Sequence, residues 1–413
     1  MELFARDTDI KGTVTSHSAN KSSSGKEAKN VQHFRSDRNK TETFTASNIN
    51  ASESLTLNNS GSLNLSAANI NAGALTVSAT GNINSNAVKT TNRTESDHTQ
   101  SKGLWYNNNL SSSTDESLHQ TKINTKSLND QKKYWGGLFG GKSQVQNNRT
   151  ENLHGSSITA NSNVVLGAKN GVNVYGSTVE GQAGTFVSSK AGNVDIKNAT
   201  STNTSAQSAR KGTIFNITTS KTSSNSSIEK VTGSTLVSNA DLTVVSNKDI
   251  NVIGSALFAA QKLQLSSAGD LTIDAAKAVE NKQVNEYSIK GYSGTETNKE
   301  NGSVTAKAGI KFTDTHTGTH SVNLNGSILT GKNTQLSSNS NVTVSGSQVN
   351  GEESVNISAA NDVNIVASKG SNTVIESGRV TDLGVSATAY KKITLQASAY
   401  LSALPAPKQM QLP

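Results

Sequence analysis

SNINASESLTLNNSGSLNLSAANINAGALTVSATGNINS, Ser47 to Ser85, is a run of Ser, Asn, Ala, Gly and Thr punctuated by aliphatic residues at set places. A single apolar residue, Ile49, stands in a turn-rich patch. Two pairs with one residue between the partners follow, Leu55/Leu57 and Leu63/Leu65, separated by a short polar link. The pattern then restarts at Ile70, an offset of 21 residues from Ile49.

Three further blocks repeat this double unit. They begin SSITANSNVVLGAKNGVNVYGS at Ser156, GSTLVSNADLTVVSNKDINVIGS at Gly233 and GSILTGKNTQLSSNSNVTVSGS at Gly326. The internal offset is again 21 from Ile158 to Val179 and from Leu236 to Leu257, and 20 from Ser327 to Ser347. Self-similarity at this period is the mark of a solenoid.

Alternation over three residues makes a short strand with both apolar side chains on one face. Two such pairs and a third apolar position per unit give a coil with three short sides. Coils stack through parallel ladders, each adding about 4.8 Å of height. No single coil buries its own apolar edge, so stability comes from its neighbours. Asn82, Gly171, Gly269-Asp270 and Asn361-Asp362 supply residues that tolerate tight turns. The spacing predicts an all-β fold, a right-handed parallel β-helix of ~20-residue coils with protruding hairpins or loops. Some eight coils are countable.

Composition agrees. Of 413 residues, 32% are hydrophobic and 16% charged, and the only prolines are Pro405, Pro407 and Pro413. Disordered chains of such low hydrophobicity are ordinarily rich in charge or proline. A Pro-free chain suits an uninterrupted ladder. There is no cysteine, which excludes disulfides and thiolate chemistry. The formal charge of +8 comes from scattered lysines and arginines, which reads as a solvated basic surface and implies no nucleic-acid partner. No apolar run reaches the length of a transmembrane helix. The start, MELFARDTDI, does not read as a signal peptide, so the expectation is a cytoplasmic protein or an internal piece of a longer exported chain.

The blocks are separated by polar stretches at about 88–153, 198–231 and 277–324, with a similar one at 12–44. GTVTSHS, KGTIFNITTSKTSS and VTAKAGIKFTDTHTGTHSVNL alternate Ser or Thr with other residues, as in hairpins leaving the solenoid wall. The domain reading is a polar N-terminal segment over 1–46, the β-helix with its insertions over 47–368, and an irregular end over 369–413. Two aromatic islands, KGLWY (102–106) and KKYWGGLFGGK (132–142), sit in the longest insertion. They read either as two arms of one projection packing together, or as a contact tip of Trp105, Tyr106, Tyr134, Trp135 and Phe139. Trp and Tyr suit an interface that is apolar on one side and wet on the other.

The double units and the Ser/Thr-rich arms, with the tract KKYWGGLFGGK, resemble the haemagglutinin repeats of filamentous-haemagglutinin-type exoproteins. These are the secreted partners of bacterial two-partner secretion systems. The resemblance covers residues 12–375 and is similar in particular to the second repeat region of contact-dependent growth inhibition effectors. It implies a secreted or cell-surface adhesive stalk without catalysis and without cofactors. Its partners would be an outer-membrane transporter barrel, a receptor or glycan on a target cell, and the outer membrane itself. It also implies delivery of a C-terminal toxin. The family's signal peptide, secretion domain and toxin domain have no counterpart in these 413 residues, so the chain reads as an internal or truncated fragment.

Three kinds of chemistry have candidate residues in the sequence. GGLFGGKS, Gly136 to Ser143, fits the phosphate-loop pattern, but that motif needs a buried strand before it and a helix after it. KSLNDQKKYW precedes it and QVQNNRTENLHG follows, and neither supplies that context. Asp314, His316 and His320 share one face of an extended strand and carry metal-ligand atoms, yet no metal site is expected. A β-helical carbohydrate-active enzyme, lyase or hydrolase, is the alternative function. It needs clustered carboxylates, whereas Asp241, Asp249 and Asp270 lie singly at turns.

Overall fold

The computed structural model describes residues 1–27, 31–102, 141–212, 218–389, 395–403 and 410–412, and every regular element among them is a strand. The strand Ser47–Asn59 turns a corner between Ala51 and Ser54, so it supplies two sides of a coil. Leu63–Ser66 supplies the third. All three sides pair in parallel with the next coil.

The register stacks equivalent apolar residues. On the first side Ile49, Ile70, Ile158, Val179, Leu236, Leu257, Leu329 and Val349 are successive partners. The second side stacks Leu57, Val77, Leu166, Val187, Val244, Leu265, Leu336 and Ile357. The third stacks Leu63, Ile83, Val172, Val194, Ile250, Leu271, Val342 and Val363. Leu166, Val244, Leu257 and Leu271 are fully excluded from solvent. Burial of each such side chain stabilises by about 1.5–3 kcal/mol, so three columns hold a coil that is otherwise polar. The expected 21-residue offsets are the observed Cα partners Ile49↔Ile70, Ile158↔Val179 and Leu236↔Leu257. The chain is an all-β parallel β-helix.

The lone apolar position of each unit sits in a strand, in some units one of its own such as Ser157–Ala160 or Thr235–Ser238, where the sequence suggested a turn. Parallel pairing also begins at Glu2, where Glu2–Ala5 and Thr8–Lys11 place Leu3 and Ile10 on the columns. Those two strands lie in a segment that reads as polar.

Outward positions are held by side chains that bond along the stack. Asn64 Nδ2 donates to Asp9 Oδ1, Asn84 Nδ2 to Asn64 Oδ1 and Asn173 Nδ2 to Asn84 Oδ1, each at 2.7 Å. Amide ladders of this kind need residues repeated at the strand spacing. They account for much of the asparagine content without any apolar cost.

One corner, between the third side and the first, comes in two forms that alternate. In one, a single residue turns the chain: Gly176, Gly254 and Gly346 have φ of +58°, +54° and +53°, and Ala67 takes their place at +48°. This left-handed region favours glycine. A serine follows each of the three glycines, and Ser177 and Ser255 are buried. The serine hydroxyl oxygen accepts the backbone N–H of the preceding coil's serine, as in Ser156 N–H to Ser177 Oγ (3.2 Å), Ser234 to Ser255 (3.1 Å) and Ser327 to Ser347 (3.0 Å). In the other form the chain leaves the solenoid as a long hairpin arm and returns one coil further on.

Candidate functional site

The arms are the feature that the solenoid positions for contact. The strands Thr13–Glu27, Val31–Thr45, Val88–Lys102, Gly141–His154, Ala199–Gly212, Thr218–Thr232, Ala276–Thr297, Val304–Asn325, Ser371–Ala389 and Leu395–Ala403 form one antiparallel sheet in that order. Because each arm springs from the same corner, equivalent residues of successive arms fall in line. One row runs Lys40, Arg93, Arg149, Thr204, Ser227, Asn281, His320 and Thr373 across eight neighbouring strands. Every second residue along each strand shares that face.

A cavity of about 610 Å³ opens on this face, lined by Asn147, Arg149, Glu151, Asn225, Gln283, His316 and His320 among others. Arg149 Nη2 donates to Glu151 Oε1 at 2.8 Å, and Lys89 Nζ donates to Glu151 Oε2 at 3.2 Å. Lys40 pairs with Glu42 at 3.0 Å, and Arg93 with Glu95. Each cation of the row thus meets a carboxylate two residues along its own strand, leaving a polar and nearly neutral surface. Half-exposed pairs of this kind contribute about 0–1 kcal/mol each, so they organise the face more than they stabilise it.

Three glutamates close the seams between arms where the backbone ladder stops. The ladders end at Lys40↔Arg93, Arg149↔Thr204 and Ile228↔Glu280. Just below, Glu42 accepts the Thr91 N–H at 2.7 Å, Glu151 the Thr202 N–H at 2.9 Å and Glu229 the Val279 N–H at 3.1 Å. Burial pushes the Glu42 carboxyl up, but the Lys40 ammonium and the Thr91 N–H outweigh it and hold the group below the ordinary range. Burial dominates at Asp97 on the same face and raises its carboxyl above the ordinary range. Sequence reasoning missed the glutamates, although a signal existed. Glu42, Glu151 and Glu229 each stand five residues before a serine at or next to the start of a block, namely Ser47, Ser156 and Ser234.

The residues singled out from sequence fare differently. Asp314, His316 and His320 do share a face of Val304–Asn325, but the imidazoles are taken up singly: Nδ1 of His320 meets Asn281 Oδ1 at 2.7 Å, and that of His316 meets Asn285 Oδ1. Asp314 lies opposite Tyr287 and Arg379. Among the described residues no group of three such side chains could hold a metal ion. Gly141, Lys142 and Ser143 begin the strand Gly141–His154, so the segment after the glycine-rich motif is extended where a phosphate loop requires a helix. Thr90 Oγ1 and His154 Nε2 are 3.0 Å apart, yet Thr90 is buried and the Phe44 ring stacks on the imidazole at 4.4 Å, which leaves no room for a substrate. The aromatic tip Trp105, Tyr106, Tyr134, Trp135 and Phe139 lies outside the described residues.

Comparison with known proteins follows the same lines. The Hemagglutinin repeat family matches residues 138–214, 215–378 and 313–403. The chain is 31% identical over 320 residues to a protein named Hemolysin from Proteus mirabilis, a match covering 76% of this chain and 18% of that protein. It is 32% identical over 235 residues to a Hemolysin from Serratia marcescens, covering 56% of this chain and 14% of that one. The chain therefore spans less than a fifth of the length of these curated relatives. No solved structure matches.

Proposed function

The chain belongs to the Hemagglutinin repeat family, and from that premise we propose that it is a stalk region of a secreted or cell-surface bacterial exoprotein, with its arms as the contact surface. The solenoid serves as a rigid spacer, and the arm sheet presents the binding face. The observation that carries this reading is the division of labour between the two sheets. The solenoid spends its apolar residues on its own core, whereas the arms hold a continuous sheet of eleven described strands, the ten above and Met410–Leu412 beside Ser371–Ala389, away from it. The proposal includes export through an outer-membrane barrel, as for exoproteins of this family, and contact with a receptor or glycan on another cell. Delivery of a toxin carried elsewhere in a longer chain fits the same layout. Catalysis is not part of the proposal; the cavity is lined by amides, hydroxyls and paired charges suited to contact.

The test removes one arm while keeping the solenoid. Joining Asp274 directly to Gly326 recreates, as Asp274-Gly326-Ser327, the arm-free corner seen at Ile253-Gly254-Ser255. Fluorescently labelled wild-type chain should bind bacterial cells, and the armless form should lose most of that binding while its far-UV circular dichroism stays β. Equal binding by a folded armless chain would refute the arms as the contact surface.

A further inference from the structure

The second side of the solenoid presents an outward wall unlike the other two. Asn163–Ala168, Gly184–Ser189, Asp241–Ser246 and Lys262–Ser267 are its strands in four successive coils. Two outward rows cross them. One runs from Thr56 through Val165, Phe186, Thr243 and Gln264 to Asn356. The other runs from Asn58 through Ser78, Gly167, Ser188 and Val245 to Ser358. Neither row holds a charged residue between those ends, whereas the first side carries Glu180 outward and the third Asp195, Lys197 and Asp274. This is also the one side of the coil that does not adjoin the arm-bearing corner.

The wall has relief. Phe186 stands 40% exposed in the middle of the first row, between Val165 and Thr243. The second row lies about 7 Å away along the strands and is built of smaller side chains. A ridge and a groove therefore run side by side up the stalk. Gly167 lies in the groove, and its own coil does not require a glycine. An added Cβ would meet Ser188 Oγ at 3.6 Å and the Val77 carbonyl at 3.8 Å, which are ordinary contacts, and the backbone there is not left-handed. Glycine inside a strand weakens it and marks a place where another backbone comes close. Among the described residues the atoms nearest to that Cβ belong only to the adjoining strands.

We infer that two copies of the chain pair back to back through this wall, side by side and pointing the same way. Four observations select a second copy. First, eight strands about 4.8 Å apart and six residues long make a wall of roughly 750 Å², close to the ~800 Å² that each partner buries in a stable interface. Second, the relief is self-complementary. A two-fold axis parallel to the stack and midway between the rows lays the ridge of each copy in the groove of the other. Val165 then faces the partner's Gly167, Phe186 the partner's Ser188 and Gln264 the partner's Ser266. An axis along the strands would turn the copies head to tail and set ridge on ridge. Third, the border charges agree with the first axis. Lys190 comes opposite the partner's Gly184, which is one strand from the partner's Asp241. Fourth, small polar and apolar side chains repeated at the strand spacing are what paired sheets interdigitate in a dry interface. Pairing through this wall leaves both arm sheets uncovered, so this contact is separate from whatever the arms bind.

The test is the oligomeric state of the whole chain by sedimentation. Wild type should show a monomer–dimer equilibrium across micromolar concentrations. Gly167→Lys and Phe186→Lys should each raise the dissociation constant at least about tenfold, with far-UV circular dichroism unchanged. Ser266→Lys serves in place of either that fails to fold. Thr272→Lys, on the outward row of the third side, should leave the equilibrium as it is. The absence of cysteine lets cross-linking read the direction. An equal mixture of Gln264→Cys and Ser266→Cys chains should be joined by a short bis-maleimide several-fold more than either variant alone. A wild-type chain that stays monomeric, or a dimer indifferent to the wall variants, overturns the inference. So does a dimer that Leu383→Asp, on an arm, dissociates and Gly167→Lys does not. Equal cross-linking of the mixture and of the single variants overturns the parallel arrangement.

Discussion

Replacing Gly254 with alanine tests the corner on which the stacking depends. Two costs are separable. A backbone at φ +54° disfavours an L side chain by roughly 1–2 kcal/mol. A Cβ at 254 would also lie 2.4 Å from the Ala276 Cβ, where the next arm begins. Carbon atoms in contact prefer about 3.5–4.0 Å, and overpacking of this degree costs about 1–3 kcal/mol. The single variant should therefore lose about 2–5 kcal/mol. Ala67 occupies the equivalent corner at +48°, so the backbone term alone does not forbid alanine and the overlap is the decisive part. Ala276→Gly removes the obstructing methyl. Alone it should cost about 1–2 kcal/mol, from a lost buried methyl and a more flexible strand. Combined with Gly254→Ala it should recover the overlap, giving a favourable coupling of about 1–3 kcal/mol. Repeat arrays need not melt as one unit, so the readout is native-state amide exchange of the coil around Leu257, beside whole-chain urea unfolding. A single variant costing under about 1 kcal/mol, or a coupling within about 0.5 kcal/mol of zero, would refute the steric argument.

Ser327→Ala removes the hydroxyl that accepts the Ser255 N–H at 3.3 Å and donates to the Asp274 carbonyl at 2.7 Å. It should cost about 1–3 kcal/mol, whereas Ser223→Ala on an arm should stay within about 0.5 kcal/mol; equal values in urea unfolding would deny the serine column its role. Glu42, with its folded value held below the ordinary 4.5, contributes stability that is complete above that pH and lost as pH falls through the lower folded value. Glu42→Gln should weaken the chain at neutral pH and flatten its acid unfolding curve below pH 4.5, read by circular dichroism against pH, and an unchanged curve would show that the seam does not depend on the ionised carboxylate.

The solenoid was legible because its signal is local. Leu55/Leu57 and Leu63/Leu65 announce short strands by themselves, and the 21-residue offset supplies their partners. The function of the small Gly-Ser pair was not, since Ser255 finds its acceptor on Ser327, 72 residues away across an arm. The lateral pairing of the arms was hidden for a related reason. Sequences such as TTSKTSSNSSIEKVT carry no apolar face that would fix a register. Their register is imposed from the corner at which each arm starts. The alternation from Val304 to Phe312 was visible as a hairpin strand, but only the structure shows that Val304 and Ile310 are exposed. The glycine-rich motif fails on context already in the sequence, because a pattern of letters is compatible with more than one backbone, and the strand Gly141–His154 after it is extended.

The alternation of the two corner forms has a geometric meaning. An arm is a hairpin, so it occupies two strand widths in its own sheet, about 9.6 Å at the usual spacing. Two coils advance the solenoid by the same distance. The two sheets are thus combs of equal pitch, engaged along one edge. An arm on every coil would crowd its neighbours, and an arm on every third would leave gaps that the ladder could not bridge. Growth or loss of the stalk is therefore quantised: a pair of coils with its hairpin is the smallest piece that can be inserted or removed without throwing the combs out of step.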